Sequence, residues 1–173
     1  MERERMIFAA KPKTRFHLSV GAVIINEKNE VLCHHYQVGG KLNGVYTLMR
    51  ETVENNESNE HAVLRGLQEE FGATGEILAY LGSITAKDKW FGEINQEKIV
   101  EKTTLYFLVK CNDVTPENAL KDEQTGSTPE WKEIQFLIQQ MQSLIEKVGI
   151  QDINESEILK RALEYINSNI KND

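Results

Sequence analysis

Two cysteines and three prolines are all that the 173 residues contain. Cys33 and Cys111 each stand in strand-like sequence, with no C-x-x-C and no histidine at finger spacing. Neither a disulfide scaffold nor a structural zinc site is therefore expected, and both read as small buried apolar residues. No segment approaches the ~20 apolar residues of a membrane span. The charged start MERERMIF lacks the apolar run of a secretory signal, so the expected location is cytoplasmic. There is no run of Lys or Arg, and a net charge of −7 with pI near 5.2 argues against long nucleic acid or an anionic membrane as partner. No serine or cysteine sits in a nucleophile elbow or a visible triad, which leaves covalent catalysis without support.

What remains is ordinary globular sequence, 40% hydrophobic and 27% charged, long enough for one domain with its own core. Residues 15–26 alternate, with Phe16, Leu18, Val20, Ala22 and Ile24 on one face and Val23 and Ile25 on the other, which predicts a strand buried on both sides near its end. Val31–Tyr36 is a second strand, Gln37–Gly44 a loop, and Tyr46–Leu48 a short extended lead. Further strands are predicted at 76–86 and 103–111, with 87–97 as a loop between them. The stretch 113–130 is a polar connection, with a short strand at 133–136. Ile138, Met141, Leu144, Ile145 and Val148 mark a helix closed by Gly149. Asn154 with Glu157 has the form of a capping box, followed by the stripe Leu159, Ala162, Leu163, Ile166 and Ile170. The expected organisation is a domain over 1–150 with a helical extension over 151–173. The stripe of that last helix must be buried on its own domain or on a partner copy in a homodimer.

The densest chemistry lies in ETVENNESNEHAVLRGLQEEFGA, residues 51–73. Ser58 suits an N-cap, Ala62, Val63, Leu67 and Phe71 recur at helical spacing, and Gly72 suits a helix stop, so 59–71 is predicted as an amphipathic helix. Glu69 and Glu70 fall in its last turn, where the macrodipole disfavours each negative charge by roughly 0.3 to 1 kcal/mol. Arg65 reaches Glu69 at i,i+4, but cation before anion is the weaker order of such a pair. A hard divalent cation with oxygen ligands accounts better for the two acids.

At these residues the chain resembles the Nudix family, whose box reads G-x5-E-x7-R-E-U-x-E-E-x-G-U, with U a bulky apolar residue. Glu57, Arg65, Leu67, Glu69, Glu70 and Gly72 fall on their box positions. Glu51 stands in place of the first glycine, Arg50 and Met49 in place of the usual Gly and Pro before it, and Gly66 in place of the Glu after Arg65; Ala73 is a small version of the final apolar residue. The resemblance covers roughly residues 15–148 and implies an α/β/α sandwich around a mixed β-sheet, with the C-terminal helix as an addition.

Gly66 is the departure of most consequence, since positions 66, 69 and 70 form one triangle on the helix surface. A glycine inside a helix costs about 1 kcal/mol relative to alanine. Two readings stand: close backbone packing, or a site that has lost a carboxylate and binds metal more weakly or takes a ligand from elsewhere. Arg50 and Glu51 read either as a substitute charge pair or as a solvated turn pair.

The resemblance implies metal-dependent pyrophosphohydrolysis of a nucleoside diphosphate linked to another moiety. Glu57, Arg65, Glu69 and Glu70 are then the catalytic set. Glu69 and Glu70 would hold Mg²⁺ or Mn²⁺, and Glu57 would either ligate a further ion or orient Arg65. The proton acceptor would come from the box or from Glu93, Glu97 and Glu101. Tyr46, Trp90, Phe91 and Tyr106 are candidates for stacking on a planar part of the substrate, and residues 101–109 are similar to the strand after the substrate loop in Nudix enzymes of dinucleoside polyphosphates. The rival reading is a catalytically degenerate module that binds a nucleotide or a protein. His34 and His35, adjacent in a strand, point to opposite faces and cannot share a metal; His61 lies one turn before Arg65, and His17 reads as an ordinary strand residue.

Overall fold

A computed structural model describes residues 14–37, 43–91, 97–115, 126–148 and 154–169. The elements run β1 (Thr14–Ile25), β2 (Glu30–Tyr36), β3 (Tyr46–Thr47), β4 (Met49–Thr52), α1 (Asn59–Phe71), β5 (Ala73–Phe91), β6 (Glu97–Val114), β7 (Ser127–Glu133), α2 (Ile134–Val148) and α3 (Ser156–Asn169). They form the expected sandwich, a seven-stranded mixed sheet between helices. Its main path is β3-β2-β1-β6-β5, with β4 on β1 and β7 on β2. β1 and β6 are parallel, and the other pairs are antiparallel.

The alternation of β1 divides the core. Val20, Ala22 and Ile24 pack with Met49 and with Ala62, Val63, Leu67 and Phe71 of α1. Val23 and Ile25 face the other side, where α2 contributes Ile134, Leu137, Ile138 and Met141, and α3 contributes Ile158, Leu159, Ala162 and Ile166. Each such side chain contributes roughly 1.5–3 kcal/mol on burial. The stripe of α3 is therefore buried against its own chain. Phe16, expected inside with the rest of its face, is exposed.

Three boundaries depart from the sequence reading. The strand assigned to 133–136 lies at Ser127–Glu133 instead, and Ile134 already opens α2. Pro129 makes this stretch look like a break, yet among the described residues β7 pairs with β2 alone, and an edge strand tolerates a proline that cannot donate to a ladder. The loop assigned to 87–97 is strand as far as Phe91 and again from Glu97, in register from Lys87↔Glu101 to Phe91↔Glu97. Helix α3 begins after Glu155, Asn154 Oδ1 accepts from Ser156 N at 3.2 Å, and Glu157 pairs with Lys160 rather than closing a capping box. Gly149 lies outside the described residues, as do the side chains of Leu144, Ile145 and Val148.

The long β5 carries register shifts, one of them between Tyr80 and Gly82. Gly82 has φ 123°, a conformation that side-chain-bearing residues rarely adopt. Arg161 of α3 occupies the space a Cβ would take there and donates to Leu81 O at 2.9 Å.

Candidate active site

Helix α1 supplies the centre of the site. Ser58 Oγ accepts from His61 N at 3.1 Å, which caps the helix start, and Gly72 closes it in the left-handed region at φ 61°. Burial of Ala62, Val63, Leu67 and Phe71 on the sheet sets the rotation of the helix, and Arg65 points at the turn that precedes it. Arg65 Nε and Nη2 donate to Glu57 Oε1 and Oε2 at 2.8 and 2.9 Å, a two-pronged pair. Nη2 also donates to Thr52 O at 2.8 Å, and Nη1 lies 3.2 Å from Glu69 Oε2 and 3.3 Å from Glu51 Oε1. Arg65 thus joins the end of β4, the turn before α1 and the last turn of α1.

Glu57 is fully engaged. Besides Arg65 it accepts from His61 Nδ1 at 2.7 Å and from Glu54 N at 3.0 Å. The hydrogen bonds from Arg65 hold its carboxyl well below the usual range against the opposing effect of desolvation, and the same pair raises the Arg65 pKa. Both Glu57 oxygens thus lie on Arg65. His61, itself exposed, belongs to the site through Glu57.

Glu69 and Glu70 separate. Glu69 sits at the rim, its side chain 19% exposed, with Arg65 beside it. Glu70 is only 6% exposed and accepts from His34 Nε2 at 2.7 Å. The His34 ring stacks on Phe71 at 4.6 Å, and Ser127 Oγ donates to its Nδ1 at 3.3 Å. His34, one of the two adjacent strand histidines expected on opposite faces, is the partner of a box carboxylate.

Gly66 is in close packing against β4. A Cβ there would lie 2.7 Å from Met49 Sδ and 2.8 Å from Glu51 Cβ. Glu51 and Arg50 are neither a turn pair nor a charge pair with each other. As successive residues of β4 they face opposite sides of the sheet, Glu51 toward α1 and Arg50 toward α3.

On the α3 side lies a group that sequence reasoning missed. Glu155, wholly buried just before α3, accepts from Leu48 N at 2.9 Å and from Tyr106 OH at 2.5 Å, with Arg50 Nε at 3.8 Å. Burial raises the Glu155 pKa, opposed by the Arg50 charge and the Tyr106 hydrogen bond. Its partners are too far away in sequence for any local pattern to reveal them.

The aromatic candidates need correction. Tyr106 is 1% exposed, its ring in the core above Gly21 and its hydroxyl on Glu155, so it cannot stack on a ligand. Tyr46 is 8% exposed, stacked on His35 at 4.2 Å and edge-on to Phe136, which makes it a packing residue of the sheet edge. Trp90 and Phe91 belong to the backbone of β5 rather than to a loop, and their side chains lie outside the described residues. So do Glu93 and the side chain of Glu97. Glu101 stands half-buried on β6, opposite Phe16.

The NUDIX domain family matches residues 15–153. The chain belongs to that family. It is therefore of Nudix hydrolase type, and its solved neighbours share the fold at low identity. A MutT protein from Methanosarcina mazei Go1 is 19% identical, with TM-score 0.52 over 93% of this chain and 100% of that one. A protein described as an ADP compounds hydrolase is 16% identical, with TM-score 0.59 over 88% and 74%. The Nudix domain of Shewanella oneidensis NrtR, solved with ADP ribose, is 15% identical, with TM-score 0.54 over 92% and 90%. No curated protein matches the sequence.

Nudix domains generally use divalent metal ions, and the donor chemistry here can be set against that. Glu51, Glu57 and Glu69 offer only hard oxygen donors, chemistry that suits a hard divalent cation, and all three lie on Arg65. Among the described residues no three acidic, histidine or cysteine side chains are gathered around one point, since Arg65 lies between Glu57 and Glu69 and His34 holds Glu70. Among the described residues no helix is long and apolar enough to cross a membrane.

Proposed function

We propose that the chain hydrolyses a phosphoanhydride in a nucleoside diphosphate linked to another moiety, with Mg²⁺ or Mn²⁺ at Glu69 and Glu70. The observation that carries this reading is the Glu57–Arg65–Glu69 chain, which fixes a rim carboxylate at a helix end where uncompensated negative charge is unfavourable. Water adds to one phosphorus, the bridging P–O bond breaks with its electron pair on the departing phosphate, and the proton of the water passes to a carboxylate. A bound divalent cation supplies charge neutralisation on the phosphate oxygens and a lower pKa for the water. Glu57 keeps Arg65 in place, Arg65 keeps Glu69 at the rim, and Glu70 beside it would hold the cation with Glu69. Glu93, Glu97 and Glu101 are the proton acceptors to test. The substrate class draws on the neighbours described with ADP compounds and ADP ribose.

A second reading, a nucleotide- or protein-binding module, draws on the sealed Glu70–His34 pair. Incubation with ADP-ribose and a panel of nucleoside diphosphate derivatives, with Mg²⁺ and with Mn²⁺, separates the two. The hydrolase reading expects paired phosphate-bearing products, lost in Glu69→Gln. Binding of a panel member without products across all conditions would replace it with the second reading.

A further inference from the structure

The two departures at positions 51 and 66 touch. Glu51 Cβ and Cγ lie 2.8 and 3.2 Å from where a Cβ on Gly66 would be, so the strand side chain fills the place that a helix side chain would have occupied. Position 66 cannot take a side chain while position 51 keeps its glutamate in this place. Glu51 is 8% exposed, and Oε1 accepts from Thr52 N at 2.8 Å and lies 3.3 Å from Arg65 Nη1. Where the Nudix box has glycine before the helix and glutamate on it, this chain has glutamate on β4 and glycine on α1.

We propose that Glu51 supplies from β4 the carboxylate that α1 lacks at position 66, so that the two positions have exchanged side chains and function as a pair. The inference rests on the metal-dependent reading above. It accounts for three facts at once: an acid buried under a helix, a glycine in that helix, and an arginine shared among three carboxylates. The distances also say which rearrangements are tolerated. The Met49 contact is with the Sδ of a flexible side chain, which can move. The contact with Glu51 Cβ cannot relax, because that atom is fixed by the backbone of β4.

Three variants of the full chain test this, with Mn²⁺ affinity by electron paramagnetic resonance and melting temperature as readouts. Glu51→Gln keeps the packing against Gly66 and removes only the charge. It should melt within a few degrees of wild type and bind Mn²⁺ about tenfold or more weakly, the usual range for losing a supporting group of a metal site. Gly66→Glu alone should melt lower, and the exchange Glu51→Gly with Gly66→Glu should recover both melting temperature and Mn²⁺ affinity. Wild type and Glu51→Gln binding Mn²⁺ equally well would overturn this inference alone. So would a double variant no better than Gly66→Glu. Wild type binding no Mn²⁺ would overturn the metal-dependent reading and this inference with it.

Discussion

Replacing Glu155 with alanine orphans two donors in a place water does not reach. The carboxylate is wholly buried, and it receives the Leu48 amide at 2.9 Å and the Tyr106 hydroxyl at 2.5 Å. Leaving a buried donor unpaired costs about 1–3 kcal/mol, so the pair should cost roughly 2–6 kcal/mol. Arg50, its Nε 3.8 Å away and its side chain mostly covered, loses its buried counter-charge as well, which adds to the loss. Set against the ~5–15 kcal/mol that holds a domain together, this is a large loss for a residue outside the box. Urea unfolding at pH 7 followed by circular dichroism gives the number. Tyr106→Phe supplies the internal control. In the wild type it removes a hydrogen bond to a buried carboxylate and should cost about 1.5–3 kcal/mol, whereas in Glu155→Ala it removes an orphaned hydroxyl and should recover about 1–3 kcal/mol. A cost below about 1 kcal/mol for Glu155→Ala, or the same cost for Tyr106→Phe in both backgrounds, would refute the reasoning.

Arg65→Lys replaces the two-pronged contact with Glu57 by a point charge, so kcat/KM should fall on the order of 10- to 100-fold as Glu69 loses its fixed neighbour, read from initial rates on the best substrate of the panel. Acid stability should depend on Glu57 and Glu130. Arg65 holds Glu57 low, and Lys132 and His35 lower Glu130 from its ordinary 4.5 to about 2, so both contribute stability that is complete above pH 4.5 and lost as pH falls through the folded values. Glu57→Gln should therefore flatten the fall in melting temperature below pH 4.5, and an unchanged profile would remove Glu57 from the account. Truncation after Gly149 removes the buried Ile158, Leu159, Ala162 and Ile166 and should lower the urea midpoint or change the oligomeric state seen by light scattering; an equally stable, monodisperse truncate would contradict the packing described.

Helix α1 was legible to the residue because its signals are local: a side-chain cap at Ser58, apolar spacing from Ala62 to Phe71 and a left-handed glycine at 72. The alternation of β1 likewise marked both faces of the core. β7 was hidden because Pro129 reads as a break until its partner strand is known. The outer part of β5 and β6 was hidden because its polar sequence has no alternation to detect. Within the site, spacing alone indicated the partnership of Glu57 with Arg65, since both serve the same turn and helix. The contact of Glu51 with Gly66 and the bond from His34 to Glu70 come from the stacking of α1 on the sheet. Periodicity tells which face of an element is covered, not which residue of another element covers it.

The carboxylate of Glu155 follows Leu48 in the chain by 107 residues. During synthesis, the lead into the box therefore emerges long before the group that will hold its amide. A nascent chain halted within α2 would already contain every residue of α1 and of the central strands, with Tyr106 still lacking its acceptor. Closure of the Leu48–Tyr106 junction is thereby tied to the arrival of α3, and a ribosome-stalled chain of that length should be cut by protease more readily than the full chain although its whole box has been made.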